Sequence, residues 1–278
     1  MGSGWSVTAA VLASAVLHAC WNALAHRATD STAAVALISL GFGALSAPLV
    51  LVTPSPAASS WPYLAVAAML HIIYMVLLAR SYSLGEFGQV YPLARGSAPL
   101  VVAFVAVVWV GERLTWPLLA GVATVSGGLA VLVGLHRVHN PRAVLSAVLA
   151  GLFIAGYTTV DGLGVRRAGG VVGYTAWLLL ALGMGVLGYA LVVYGRGLAA
   201  VLRGQWWLAL VGGALGWASY ALVLWAQTRG ALAAVAALRE TSVVAAAVIG
   251  TLFFGERFGR RRIVATLLIA AGVVLLNL

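Results

Sequence analysis

Residues 106–116 read AVVWVGERLTW and residues 250–260 read GTLFFGERFGR. Each Gly-Glu-Arg follows one apolar run and precedes another, and the two tripeptides, 111–113 and 255–257, stand 144 positions apart. A recurrence at fixed offset is the mark of an internal repeat. The same offset lays Arg95 on Arg239, Ser97 on Thr241 and Gly128 on Gly272. An offset of 139 sets His18 on Tyr157, Asn22 on Asp161 and Arg27 on Arg166, and one of 146 sets His71 on Trp217 and Tyr74 on Tyr220. The chain therefore divides into two halves, 1–135 and 143–278, joined by a loop at 136–142, His-Arg-Val-His-Asn-Pro-Arg.

The 278 residues are 63% hydrophobic and only 8% charged, with a mean hydropathy of +1.06. A water-soluble domain carries about 25% charged residues. A helix crossing the hydrocarbon layer needs roughly 20 apolar residues, and ten such runs are predicted, at 4–26, 32–53, 61–80, 88–110, 115–135, 143–163, 171–194, 205–228, 231–254 and 260–277. The first lacks a basic leader segment and is read as a span. Five spans per half force the second half to enter the bilayer upside down, the inverted repeat of secondary transporters, with a site between the halves near the midplane. The expected fold is an all-α polytopic membrane protein of ten transmembrane helices in two inverted five-helix repeats.

Every one of the sixteen basic residues is arginine, which excludes a P-loop lysine, a Schiff base and a lysine nucleophile. The six acidic residues are dispersed and Cys20 is alone, so neither a disulfide nor a cysteine-rich zinc site is expected. The net charge of +10 is spread between apolar runs, as loop charge is, and does not form a nucleic-acid face. No DDxxD, GxSG or HExxH pattern occurs; the sequence points to neither an enzyme nor a cofactor. Loops after odd-numbered spans hold ten arginines and those after even-numbered spans four, which puts both termini outside.

The Gly-Glu-Arg helix ends, the stretch His18-Ala-Cys-Trp-Asn22 and ten spans in two halves resemble the drug/metabolite transporter superfamily, EamA type. The resemblance implies a basket with helices one, three, four, six, eight and nine around a central cavity and helices two, five, seven and ten outside. It implies export of small metabolites by alternating access across a bacterial inner membrane, with the bilayer and a small-molecule substrate as partners. The aromatic inner faces are similar to those of amino acid exporters, particularly of aromatic amino acids. Organic cations and sugar phosphates are the alternative cargoes. Four-helix relatives carry a buried glutamate on the first helix, where this chain has His18 and Asn22, so proton exchange by that route is not expected. A fused chain already contains both halves and can act as a monomer.

Ionisable residues inside spans face a partner or a wet cavity. His18 and Asn22 lie one turn apart on helix one, with Trp21 beside them, and Tyr157 and Asp161 repeat that spacing on helix six. His71, Tyr74 and Leu78 form a stripe on helix three, matched by Trp217, Tyr220 and Gln227 on helix eight. Such faces line a cavity suited to an apolar or planar group. Arg239 and Glu240 are adjacent on helix nine, about 100° apart around the axis, so each needs its own partner. Arg239 is expected to reach Asp161, and Glu240 a tyrosine hydroxyl or Arg95. Alternatively an arginine holds a substrate carboxylate while Asp161 or Glu240 meets an ammonium. Glu112 and Glu256 read as loop ion pairs or gate contacts, Pro92 and Pro99 as a hinge in helix four, and Trp61, Tyr82, Tyr91, Trp206 and Trp207 as interfacial belt. Glycines 121, 127 and 128 in helix five and 183, 185 and 188 in helix seven are expected to permit close helix approach.

The arginine bias makes the orientation testable. In a Cys20→Ser background, Leu278→Cys is expected to react with a membrane-impermeant maleimide on intact cells; labelling only after lysis reverses the topology.

Overall fold

The computed structural model describes residues 2–26, 31–84, 95, 98–133, 140–254 and 259–278. Among these residues there is no strand. The helices are α1 (Gly2–His26), α2 (Ser31–Val52), α3 (Trp61–Leu84), α4 (Ala98–Val110), α5 (Trp116–Val133), α6 (Pro141–Arg167), α7 (Val171–Tyr194), α8 (Leu208–Gln227), α9 (Leu232–Arg239), α10 (Ser242–Phe254) and α11 (Arg260–Leu275). Seven helical stretches are long and apolar enough to cross a membrane, Leu232–Phe253 counting as one; Ala98–Val110 and Trp116–Leu132 are apolar but shorter. Exposed Leu51, Val192, Leu252 and Phe253 lie on the outside of the bundle, the arrangement that lipid favours and water does not.

Local chemistry explains the helix ends. Asn140 accepts a hydrogen bond from the Arg142 amide at 3.0 Å and Pro141 occupies the first helical position, a preorganised helix start. The expected linker 136–142 thus yields its last two residues to α6, while His136 and His139 lie outside the described residues. Gly111 closes α4 at φ 74, with its own amide and that of Glu112 returning to the Ala106 carbonyl. A side chain resists that left-handed conformation, so the glycine of the first Gly-Glu-Arg is a helix stop. The second tripeptide, 255–257, lies outside the described residues.

Two expectations about continuity fail. Helix nine, expected unbroken over 231–254, is split between α9 and α10: the Glu240 and Thr241 amides bond to Ala237 and Leu238, three residues back, and the Thr241 hydroxyl takes the Leu238 carbonyl at 2.7 Å. A hydroxyl that competes for the backbone acceptor tightens and bends the turn. The loop expected after helix seven instead contains a short helix, Leu198–Gly204, which follows Gly195 at φ 51. Trp206 and Trp207 are exposed at the start of α8, whereas Trp61 is tied to the Pro56 carbonyl at 3.2 Å and meets Trp177 edge to face. Tyr91 and the side chain of Tyr82 lie outside the described residues.

In packing, α3 runs along α6, α1 along α8, α2 along α7 and α5 along α11. Ser14 Oγ donates to the Ser219 carbonyl at 2.8 Å and Ser219 Oγ to the Ser14 carbonyl at 2.9 Å, a polar clasp between α1 and α8 of the kind that joins helices in lipid. Small residues set the spacing of the rest. A Cβ on Gly41 would collide with the Ala209 carbonyl oxygen, and one on Gly183 would stand 2.8 Å from that of Ser39. Gly121, Gly128 and Gly185 are similarly crowded by Leu276, Ile269 and Ile72, but Gly127 and Gly188 have nothing within 4 Å, so for those two the expected close approach is corrected.

The crowding separates two glycines only two residues apart. Gly41→Ala is expected to destabilise the protein by about 1–3 kcal/mol through overpacking. Gly43→Ala, whose Cβ would meet Gly183 at an ordinary 3.6 Å, should leave thermal unfolding in detergent nearly unchanged.

Candidate functional site

Asp161, on α6, has no exposed surface. In a medium without water each carboxylate oxygen needs a protein donor, and three neighbouring helices supply them. Tyr220 Oη of α8 donates to Oδ2, His71 Nε2 of α3 stands 2.9 Å from that oxygen, and Tyr174 Oη of α7 donates to Oδ1 at 3.1 Å. His71 Nε2 is also 3.0 Å from the Tyr220 hydroxyl. The imidazole stacks on the Tyr157 ring at 3.8 Å between centroids, with Tyr220 edge-on at 5.3 Å, and Tyr74 tilts against Tyr157 at 5.5 Å. The result is a rigid aromatic hub around one carboxylate.

The hub forms part of the wall of a cavity of about 40 Å³. His18, Trp21, His71, Tyr74, Tyr157, Tyr220 and Arg239, all expected from the sequence, line it. So do Phe42 of α2 and Leu179 and Leu182 of α7, although the resemblance implies that helices two and seven stand outside. Since a water needs about 10–15 Å³ of such space, the cavity in this state admits only a few and excludes a phenyl or indole ring.

Several expected residues are turned to other work. Asn22 donates to the His18 carbonyl within its own helix at 2.7 Å, and the Trp21 indole N–H reaches His18 Nδ1 at 3.2 Å. The Trp217 indole N–H bonds Ser46 Oγ at 3.0 Å, joining α8 to α2, and Gln227 Nε2 donates to the Thr158 carbonyl at 3.0 Å, joining α8 to α6. None of Asn22, Trp217 and Gln227 lines the cavity, because a partner on a nearby backbone or helix claims each side chain first. The side chain of Leu78 and the whole of Pro92 lie outside the described residues; Pro99 is buried near the start of α4. Tyr174 was not singled out by the sequence, since it sits on a helix expected to face lipid, and neither was Ser219.

The charged groups pair differently from expectation. Arg239 does not take Asp161, whose oxygens are already occupied; its guanidinium carbon lies over the rings of Tyr220 and Tyr157, 5.3 and 5.9 Å from their centroids. Glu240 receives Arg95 Nε at 2.8 Å, and Arg95 also reaches Ser242 Oγ at 3.3 Å. This buried pair sits at the break between α9 and α10, holding it to the segment that precedes α4. Away from the cavity, Glu112 meets Arg166 Nη1 at 3.2 Å and accepts the Leu232 amide at the start of α9, while Arg166 also donates to the carbonyls of Gln227 and Gly230. Glu256 lies outside the described residues. Among the described residues no group of three His, Cys, Asp or Glu side chains is placed to hold a metal.

Residues 141–278 match the EamA-like transporter family. A protein of known crystal structure shares the fold with a TM-score of 0.73 at 19% sequence identity, over 97% of this chain and 96% of its own. No curated protein matches the chain by sequence.

The hub predicts its own energetics. Tyr220→Phe and Tyr174→Phe each delete one donor to a buried carboxylate and should cost about 1–3 kcal/mol, read as a lower unfolding temperature in detergent. Asn22→Ala, which removes a bond only to its own helix, should fall within about 0.5 kcal/mol of wild type.

Proposed function

We propose that the chain is a multi-pass membrane transporter of the EamA-like, drug/metabolite type. In this reading it exports small amphipathic metabolites by alternating access, with neutral amino acids, above all aromatic ones, as cargo. The observation that carries the reading is a cavity walled by Trp21, Phe42, Tyr74, Tyr157 and Tyr220 inside a bundle whose outer surface is apolar. Flat rings with hydrogen-bonding edges suit a planar side chain. The family match over residues 141–278 supports a carrier.

Ten spans in two inverted repeats are part of the proposal, and the helix pairing supports them. Exchanging helices one to five with six to ten turns the α3–α6 pair into the α8–α1 pair, and carries α2–α7 and α5–α11 onto themselves. A cavity of about 40 Å³ is a contracted state, to be enlarged when the halves move apart, with Pro92 and Pro99 as the hinge. Glu112 links the end of α4 to Arg166 and to the start of α9, a contact between halves that must open if they part at that end. Both termini lie outside an inner membrane, and the monomer is the working unit. Organic cations fit less well, because Asp161 and Glu240 are both taken by protein partners.

Purified protein in liposomes without an ion gradient should give saturable uptake of labelled phenylalanine and tryptophan, less of threonine and none of an organic cation. Tyr74→Ala should lower that flux severalfold at unchanged expression. Silence for every amino acid, with the cation moving only under an imposed pH gradient, would reject the cargo and the gradient-free mechanism together.

A further inference from the structure

Arg239 is the last residue of α9, 6% exposed, and its guanidinium borders the cavity. Among the described residues no hydrogen bond or ion pair reaches it, and its Nε is buried without a partner. The faces of Tyr220 and Tyr157 lie beneath the cation, which an aromatic quadrupole attracts without neutralising. The two acidic side chains buried nearby are committed: Glu240 to Arg95, and Asp161 to His71, Tyr174 and Tyr220. A cation without a counterion in a low-dielectric interior is costly. Here it borders the cavity, a space through which a counterion can arrive.

We propose that Arg239 is the anion-binding residue of the cavity and that the cargo is recognised as an aromatic carboxylate, with no subsite for an amino group. The planar guanidinium takes a carboxylate through two parallel hydrogen bonds, while Trp21, Tyr74 and Tyr157 offer rings for the aryl group. An ammonium would need a carboxylate on the cavity wall, and neither Asp161, whose oxygens meet three protein groups, nor Glu240, paired with Arg95, lines it. This inference rests on the transporter reading and narrows it: an amino acid is carried for its ring and its carboxylate, and acids lacking the amine belong to the same substrate class.

Three probes dissect phenylalanine: the amino acid itself, 3-phenylpropionate without the amine, and phenethylamine without the carboxylate. Each is titrated calorimetrically against the full-length protein in detergent and used to compete with labelled phenylalanine uptake in liposomes. Phenylalanine and 3-phenylpropionate should bind within about threefold of each other and phenethylamine not at all, while Arg239→Gln should weaken both acids about 10–100-fold, more than Arg239→Lys does. The unliganded Arg239→Gln protein should unfold at or above the wild-type temperature, because an uncompensated buried charge has been removed; a role confined to holding the bundle together would lower it. Binding of phenylalanine and phenethylamine without 3-phenylpropionate would overturn the inference and leave amino acid transport standing. Wild-type affinity in Arg239→Gln would overturn the assignment of that residue. Failure of all three probes, in binding and in uptake, would remove the transporter cargo as well. Should Arg239→Gln not fold, the ranking of the three probes on wild-type protein still decides.

Discussion

A carboxylate fully enclosed in an apolar bundle must be satisfied by protein, and Asp161 is satisfied by donors from α3, α7 and α8 while itself sitting on α6. Four helices are thereby fixed in rotation and height relative to one another. The constraint propagates outward: His71, held at Asp161, stacks on Tyr157, and Tyr157 meets Tyr74. Because two tyrosines and a histidine fill the oxygens of Asp161, Arg239 makes no ion pair with it, so one buried acid bears on both the wall of the cavity and the chemistry that Arg239 retains.

The second organising feature is the interruption between α9 and α10. A tightened turn at Glu240 and Thr241 separates α9 from α10 at a run of four polar residues, Arg239, Glu240, Thr241 and Ser242. Arg95 closes the break by pairing with Glu240 and reaching Ser242, and Arg239 is left facing the cavity. Non-helical backbone at such depth is tolerated where it is buried in protein or borders a cavity, and both conditions hold here. Around this centre α2 packs on α7 and α8 at distances set by glycine, with Gly41 and Gly183 allowing backbone to approach backbone.

Much was legible in the sequence because the membrane imposes local rules. The thickness of the hydrocarbon fixes the length of an apolar run, so seven described helical stretches reach spanning length close to their expected bounds, and Gly111 marks a helix stop because its backbone conformation requires it. Burying an ionisable group is so costly that His71, Asp161, Arg239 and Glu240 announce themselves wherever they stand in a span. What the sequence could not decide was which partner each would take, or which face each helix turns inward. These helices are apolar on nearly every side, so no amphipathic stripe marks an inner face. Tyr174 could not be told from a lipid-facing tyrosine, nor Trp217, Asn22 and Gln227 from cavity residues. Rotation and partner choice depend on contacts between segments distant in the chain, such as Tyr174 and Tyr220 meeting Asp161 before Arg239 can. Only the packed bundle resolves that competition, because the outcome turns on distances of a few ångströms between helices and not on the order of residues along any one of them.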